Sequence, residues 1–167
     1  ANPLRDFRKD AAGARFEQET LPGATLLFAH ILGGAAYFGD GFRSLSRACR
    51  ACAVKFLALP HTGELDPELS ALSTVPLSTL TTALAYVTHG GVANYEQLLR
   101  FLADQCAGSA FGAEAPAPTN RRGVYTESQG AAQDAPRVGV LFYRAHWLSG
   151  NLAWIDTLVA ELERTGC

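Results

Sequence analysis

The segment Arg144-Ala145-His146-Trp147-Leu148-Ser149-Gly150-Asn151 gathers a guanidinium, an imidazole, a hydroxyl and a carboxamide into one short stretch. All four groups can donate hydrogen bonds to an anion such as a carboxylate or phosphate. The stretch lies between a strand-patterned run and a helix-patterned run, and parallel α/β sheets bind ligands at that edge. Ser149 or Asn151 would cap the following helix, whose free N–H groups and dipole favour negative charge. Gly150 would let the backbone approach a ligand closely. The same residues also suit an ordinary capped turn with a solvent-facing histidine, and position alone does not choose between the two. Arg144, His146, Ser149 and Asn151 form the candidate substrate-binding set. No residue qualifies as catalytic or as a metal ligand.

Other chemistry-bearing residues read more plainly. Cys49-Arg50-Ala51-Cys52 has the spacing of a redox pair. It falls at the end of a helix pattern, however, where the dipole raises a thiol pKa instead of lowering it. A zinc site would need a second ligand pair, and Cys106 and Cys167 stand apart. Both cysteines of the pair are expected to be small buried apolar groups. His30 lies inside an apolar run and reads as a satisfied core residue. His61 and His89 sit at element ends and read as solvated. Glu64, Asp66 and Glu68 read as an acidic turn. Dinucleotide and phosphate-loop glycine patterns are absent, as is a serine-nucleophile elbow.

The elements that would position these residues follow from periodicity. Ala24–Leu32 is apolar without alternation, the mark of a strand covered on both faces. Gly41–Cys52 spaces Phe42, Leu45, Cys49 and Cys52 along one helical face, and Val54–Pro60 is a second strand. Strand, helix, strand is a βαβ unit. Asp66 before Pro67 should cap a short helix. Pro76–Thr88, with Leu77, Leu80, Leu84 and Val87 inward, and Val92–Ala107, with Tyr95, Leu98, Leu99 and Leu102 inward, should form a helix hairpin turning at Gly90-Gly91. Glu96 and Arg100 are placed for a pair one turn apart. Residues 108–136 shift to Ala, Gly, Pro, Ser and Gln and read as a linker, in which only Gly123–Tyr125 has strand character. Arg137–Tyr143 is patterned as a strand and Asn151–Arg164 as a helix, with Gly166 at its end.

The fold class is therefore α/β: a flavodoxin- or Rossmann-like parallel sheet plus a helix hairpin, followed by the start of a second α/β unit. The organisation is an N-terminal domain at 1–107, a linker at 108–136 and the first strand and helix of a second unit at 137–167. One strand and one helix cannot bury their own apolar faces, so the chain is expected to be cut from something longer.

Composition narrows the class. The chain has 167 residues, 48% of them apolar and 18% charged, which supports a packed core and excludes disorder. A net charge of −2 gives no footprint for a nucleic-acid backbone. No apolar run approaches the ~20 residues of a membrane span. Four cysteines in this length do not make a disulfide scaffold, and a cytoplasmic location is expected.

Taken in order, several stretches resemble the large, CobN-type subunit of aerobic cobaltochelatase, a family related to the magnesium-chelatase H subunit. They are Ala1-Asn2-Pro3, Ile31–Phe38 with its Gly33-Gly34, and Asp66–Val75. They continue with His89–Asn94, Leu98–Leu102 and Arg137–Gly166, where Phe142–Asn151 is the most specific. The resemblance implies the tetrapyrrole-binding subunit of an ATP-dependent chelatase that inserts Co²⁺ into hydrogenobyrinic acid a,c-diamide during cobalamin biosynthesis. It implies two partners, an AAA+ ATPase and a second small subunit, with ATP and Mg²⁺ on the partners, Co²⁺ as substrate and no cofactor on this stretch. It implies no catalytic residue here, because those would lie downstream; alone, this stretch should be inactive. The turn at Arg144–Asn151 matches a family motif, which makes contact with a carboxylate-rimmed tetrapyrrole an expectation. Competing readings are a magnesium-chelatase H-type subunit, a flavodoxin-like non-catalytic binding module, and a thiol oxidoreductase built on Cys49 and Cys52.

Overall fold

The structure, a computed structural model, describes residues 10–32, 34, 40–127 and 136–166. Ala1–Pro3 and most of the glycine-and-aromatic stretch after Leu32 lie outside the described residues. In order, the elements are α1 (Asp10–Glu19), β1 (Leu26–Ile31), α2 (Asp40–Ala51), β2 (Lys55–Pro60) and α3 (Pro67–Leu72). The hairpin helices α4 (Leu77–His89) and α5 (Val92–Ala107) follow, then α6 (Arg144–Leu148) and α7 (Ala153–Arg164).

β1 and β2 pair in parallel, Leu27 opposite Phe56 and His30 opposite Leu59. Alternation along the strands sends side chains to two separate cores. Phe56 and Ala58 join Phe42, Cys49 and Leu69 under α2 and α3, with Leu27 and Ala29 packed against them. Leu57 and Leu59 join Leu80, Ala83, Leu84, Tyr86, Leu98 and Leu102 under the hairpin, with Leu26 and Phe28 alongside. Residues Phe56–Pro60 are all buried, which accounts for an apolar run without alternation. β1 is only half-buried except at Ile31, and β2 is its one strand partner among the described residues.

The outer edge of β2 is covered by side chains instead of a third strand. Thr74 Oγ1 accepts from the Phe56 amide at 2.7 Å and Ser73 Oγ accepts from the Ala58 amide at 3.1 Å. The Thr74 amide in turn donates to the Phe56 carbonyl at 2.8 Å. Two hydroxyls thus stand where a neighbouring strand would, which blunts the edge. Asp66 caps α3 as its sequence predicts, accepting from the Leu69 amide at 2.8 Å.

α4 and α5 form the expected hairpin, with Arg100 donating to Glu96 at 2.7 Å. Its inward face differs in detail. Leu80, Leu84, Leu98 and Leu102 are buried, whereas Leu77, Tyr95 and Leu99 are exposed and Asn94 is buried in their place. Residues 108–120 carry no helix or strand, yet they are fastened along the hairpin. Asp104 accepts from the Phe111 and Gly112 amides, Gln97 accepts from the Glu114 amide, and Tyr86 donates its hydroxyl to the Glu114 carbonyl.

The fold class holds: mixed α/β, with a parallel sheet and a helix hairpin. Beyond the hairpin the local expectations need correction. Residues 137–143 form no strand, and neither do 123–125. A strand is stable only where its backbone groups meet a partner, and the sheet of the described residues offers none there. Leu141 is accordingly fully exposed. Arg144–Leu148, expected to be a turn, is a short helix. α7 begins at Ala153 with Leu152 as its N-cap residue and no side-chain cap, so neither Ser149 nor Asn151 caps it. Gly166 ends α7 with φ +87°, its amide on the Glu163 carbonyl.

Candidate ligand groove

A groove of about 860 Å³ opens at the carboxyl end of β2. Three segments build it. Pro60–Gly63 supplies the floor where the strand ends. The last turn of α4, the α4–α5 turn and the first turns of α5 supply one wall, with Val87, Val92, Tyr95, Glu96 and Leu99. α6 supplies the other, with Arg144, Ala145, Leu148 and Ser149. The lining is mainly apolar with several polar groups among it, and the size falls in the ~300–1,000 Å³ range of small-molecule sites.

Local chemistry explains why these segments meet. Gly90 has φ +65° and ψ −170°, a backbone region reserved for glycine. Asn94, buried one turn into α5, donates to the carbonyls of Gly90 at 2.8 Å and Ala117 at 2.9 Å. Its side-chain oxygen accepts from the Ala117 amide at 2.9 Å. One carboxamide therefore ties the hairpin turn to the 108–120 segment.

Arg144 clamps the same corner. Its Nη2 donates to the His89 carbonyl, the last of α4, at 3.0 Å, and its Nε donates to the Asn120 carbonyl at 2.7 Å. The Thr119 hydroxyl accepts from Arg144 and donates to the His89 carbonyl. A guanidinium here complements the negative end of α4. Its contacts thus go largely to carbonyl groups, while its side chain still borders the groove.

The four sequence-predicted residues separate. Arg144 and Ser149 line the groove, and Ser149 Oγ donates to the His146 carbonyl at 3.2 Å. His146 turns away and meets Trp154 edge-on, ring centroids 5.3 Å apart. Asn151 is exposed, its amide on the His146 carbonyl at 2.9 Å. Sequence reasoning missed His61, Thr62, Tyr95 and Glu96, which line the groove. It also missed that His61 Nδ1 lies 3.3 Å from His30 Nε2. The signal was in the register: His30 stands opposite Leu59, and His61, two residues on, shares that face. Burial, and then the neighbouring His61, holds the His30 imidazole below its ordinary range.

The Cys-x-x-Cys pair gives no second site. Cys49 is buried and Cys52 exposed, correcting the expectation that both are buried. Burial first, then Cys52 and Glu17, pushes the Cys49 thiol up to about 11, the reverse of what a nucleophilic thiolate needs. A second depression, of about 330 Å³, lies between Tyr125 and α7. It carries the carboxylates of Asp156 and Glu163, with the Tyr125 hydroxyl on Asp156 at 2.9 Å, and would repel an anionic ligand.

Fold and groove together define an α/β module with a ligand-sized opening at the carboxyl end of its parallel strands. Residues 84–167 match the CobN/Magnesium Chelatase family, and the chain belongs to that family. It is similar to the aerobic cobaltochelatase subunit CobN of Pseudomonas aeruginosa, 27% identical over 99% of this chain and 14% of that protein. It is also similar to a CobN subunit from a Sinorhizobium species, 31% identical over 90% of this chain and 13% of that one. Among solved structures it matches the catalytic subunit of cobaltochelatase from Mycobacterium tuberculosis at 28% identity and a TM-score of 0.66, covering 95% of this chain and 15% of that one. The chain thus spans about one-seventh of the length of these relatives. Among the described residues no helix is long and apolar enough to cross a membrane.

Proposed function

We propose that this chain is part of the tetrapyrrole-binding subunit of an ATP-dependent cobaltochelatase, which inserts Co²⁺ into hydrogenobyrinic acid a,c-diamide in cobalamin biosynthesis. The observation that carries this reading is likeness to cobaltochelatase subunits over nearly the whole chain, at 27 to 31% identity. In this reading the substrate corrinoid lies along the groove. Its apolar face meets Val92, Leu99 and Leu148, and its carboxylate rim meets Arg144 and Ser149. His146 and Asn151 shape the turn that closes α6. An AAA+ ATPase and a second small subunit supply ATP hydrolysis with Mg²⁺, and Co²⁺ is the metal substrate. This stretch contributes binding surface, with the bond-making residues elsewhere in the subunit, so alone it turns nothing over.

Trp147 in α6 and Trp154 at the start of α7 are both exposed, so corrinoid arrival should quench their fluorescence. In the full-length subunit, Ser149→Ala and Leu148→Ala should weaken corrinoid binding severalfold, and the pair His146→Ala with Asn151→Ala should weaken it less. Unchanged affinity in all of these variants would remove the groove from the reading.

The magnesium-chelatase H-type alternative shares the family description. It predicts tighter binding of protoporphyrin than of the corrinoid, and the same quenching titration separates the two.

A further inference from the structure

We propose that His30 and His61 together hold a divalent first-row transition metal ion at the mouth of the groove. His30 is on β1 and His61 directly follows β2, so the parallel register brings two imidazoles to one point on the hairpin side of the sheet. Their facing nitrogens, His30 Nε2 and His61 Nδ1, stand 3.3 Å apart, with ring centroids 5.1 Å apart and planes tilted by 32°.

With one of the two nitrogens protonated, that separation allows a hydrogen bond between the rings when no ion is present. It also suits two ligands of one ion. Two nitrogens 3.3 Å apart, each about 2.1 Å from a shared metal, subtend about 104° at it, between the octahedral and tetrahedral angles. Imidazole is a ligand type suited to zinc, copper, iron and nickel, and must be neutral to bind.

Among the described residues no group of three His, Cys, Asp or Glu is placed to hold a metal. The remaining positions on the ion therefore fall to water or to a molecule in the groove, because His61 lines it. Structural zinc sites close all four positions with protein ligands; this one stays open and exchangeable. The inference concerns these two side chains and does not rest on the proposed corrinoid substrate.

The test is a Zn²⁺ titration by calorimetry of the metal-free full-length protein, with His30→Gln and His61→Gln alongside. Each variant should bind at least tenfold more weakly at one site. Identical titrations, with native circular dichroism, would overturn the proposal. Should either variant fail to fold, diethyl pyrocarbonate labelling of the wild type with and without Zn²⁺, mapped by mass spectrometry, decides the matter. The metal should protect His30 and His61 and leave His89 and His146 unchanged; equal labelling of His30 and His61 in both conditions would refute the site.

Discussion

A Cβ placed on Gly90 would stand 3.0 Å from Leu148 Cδ1, so the hairpin turn and α6 touch where glycine leaves room. The groove exists because these two segments approach so closely. Gly90→Ala should destabilise the protein by about 1–3 kcal/mol through its backbone conformation alone. The clash with Leu148 adds to this, but the leucine end is flexible, so the backbone contribution dominates. Paired with Leu148→Ala, the effects should be less than additive. Thermal denaturation of both single variants and the double variant measures this, and strict additivity would contradict the contact.

Ser73 and Thr74 should protect the edge of β2. Their hydroxyls accept from the Ala58 and Phe56 amides, and the Ser73 hydroxyl also donates to the Leu69 carbonyl at 2.9 Å. Ser73→Ala with Thr74→Val strands two buried amides, at about 1–3 kcal/mol for each unsatisfied group. Hydrogen exchange at Phe56 and Ala58 should speed up selectively, with the amides of α5 following only the global loss. Uniform acceleration across the chain would mean that the hydroxyls do not guard this edge.

The two cysteines of the Cys-x-x-Cys should react very differently. Cys52 is exposed, while burial pushes the Cys49 thiol up to about 11. Iodoacetamide at pH 8 should label Cys52 first and leave Cys49 largely unmodified until the protein unfolds. Labelling of Cys49 at the rate of Cys52 in the folded protein would reopen the thiol-redox reading.

His30 gives stability a pH dependence of known sign. Its folded-state pKa is depressed by burial and by the facing His61, so the unfolded chain takes up this proton at higher pH than the folded protein. The stability it contributes is fully present above the ordinary imidazole value of ~6.5 and is lost as pH falls below it. Denaturant unfolding at pH 7.5 and 5.5 should show a larger loss for the metal-free wild type than for His30→Gln. Equal losses would assign the dependence to other groups.

Local periodicity carried the first part of the fold well. Asp66 before Pro67 announced a capped helix, Gly90-Gly91 announced the hairpin turn, and two apolar runs announced strands, although β1, the run expected to be covered on both faces, is only half-buried and β2 is the buried one. Those signals are local, and tertiary context left them in place. Arg137–Tyr143 had the pattern of a strand, but a strand is a property of pairs, and no partner lies among the described residues. On α5, apolar spacing drew Tyr95 and Leu99 inward on paper. In the fold that angular position borders the groove, and Asn94 takes the buried place because three backbone groups need its carboxamide. Arg144 and Ser149 were legible as polar groups near a turn. The His30–His61 contact was hidden, because residues 31 positions apart meet only once the strand register is known.

The most direct measurement of the proposed function is metal insertion by the full-length protein with the proposed AAA+ ATPase and second small subunit, followed by the absorbance change of the macrocycle. With Co²⁺ and ATP, hydrogenobyrinic acid a,c-diamide should be converted, and protoporphyrin with Mg²⁺ should remain unchanged. Conversion of protoporphyrin with Mg²⁺ and none of the corrinoid would contradict the account.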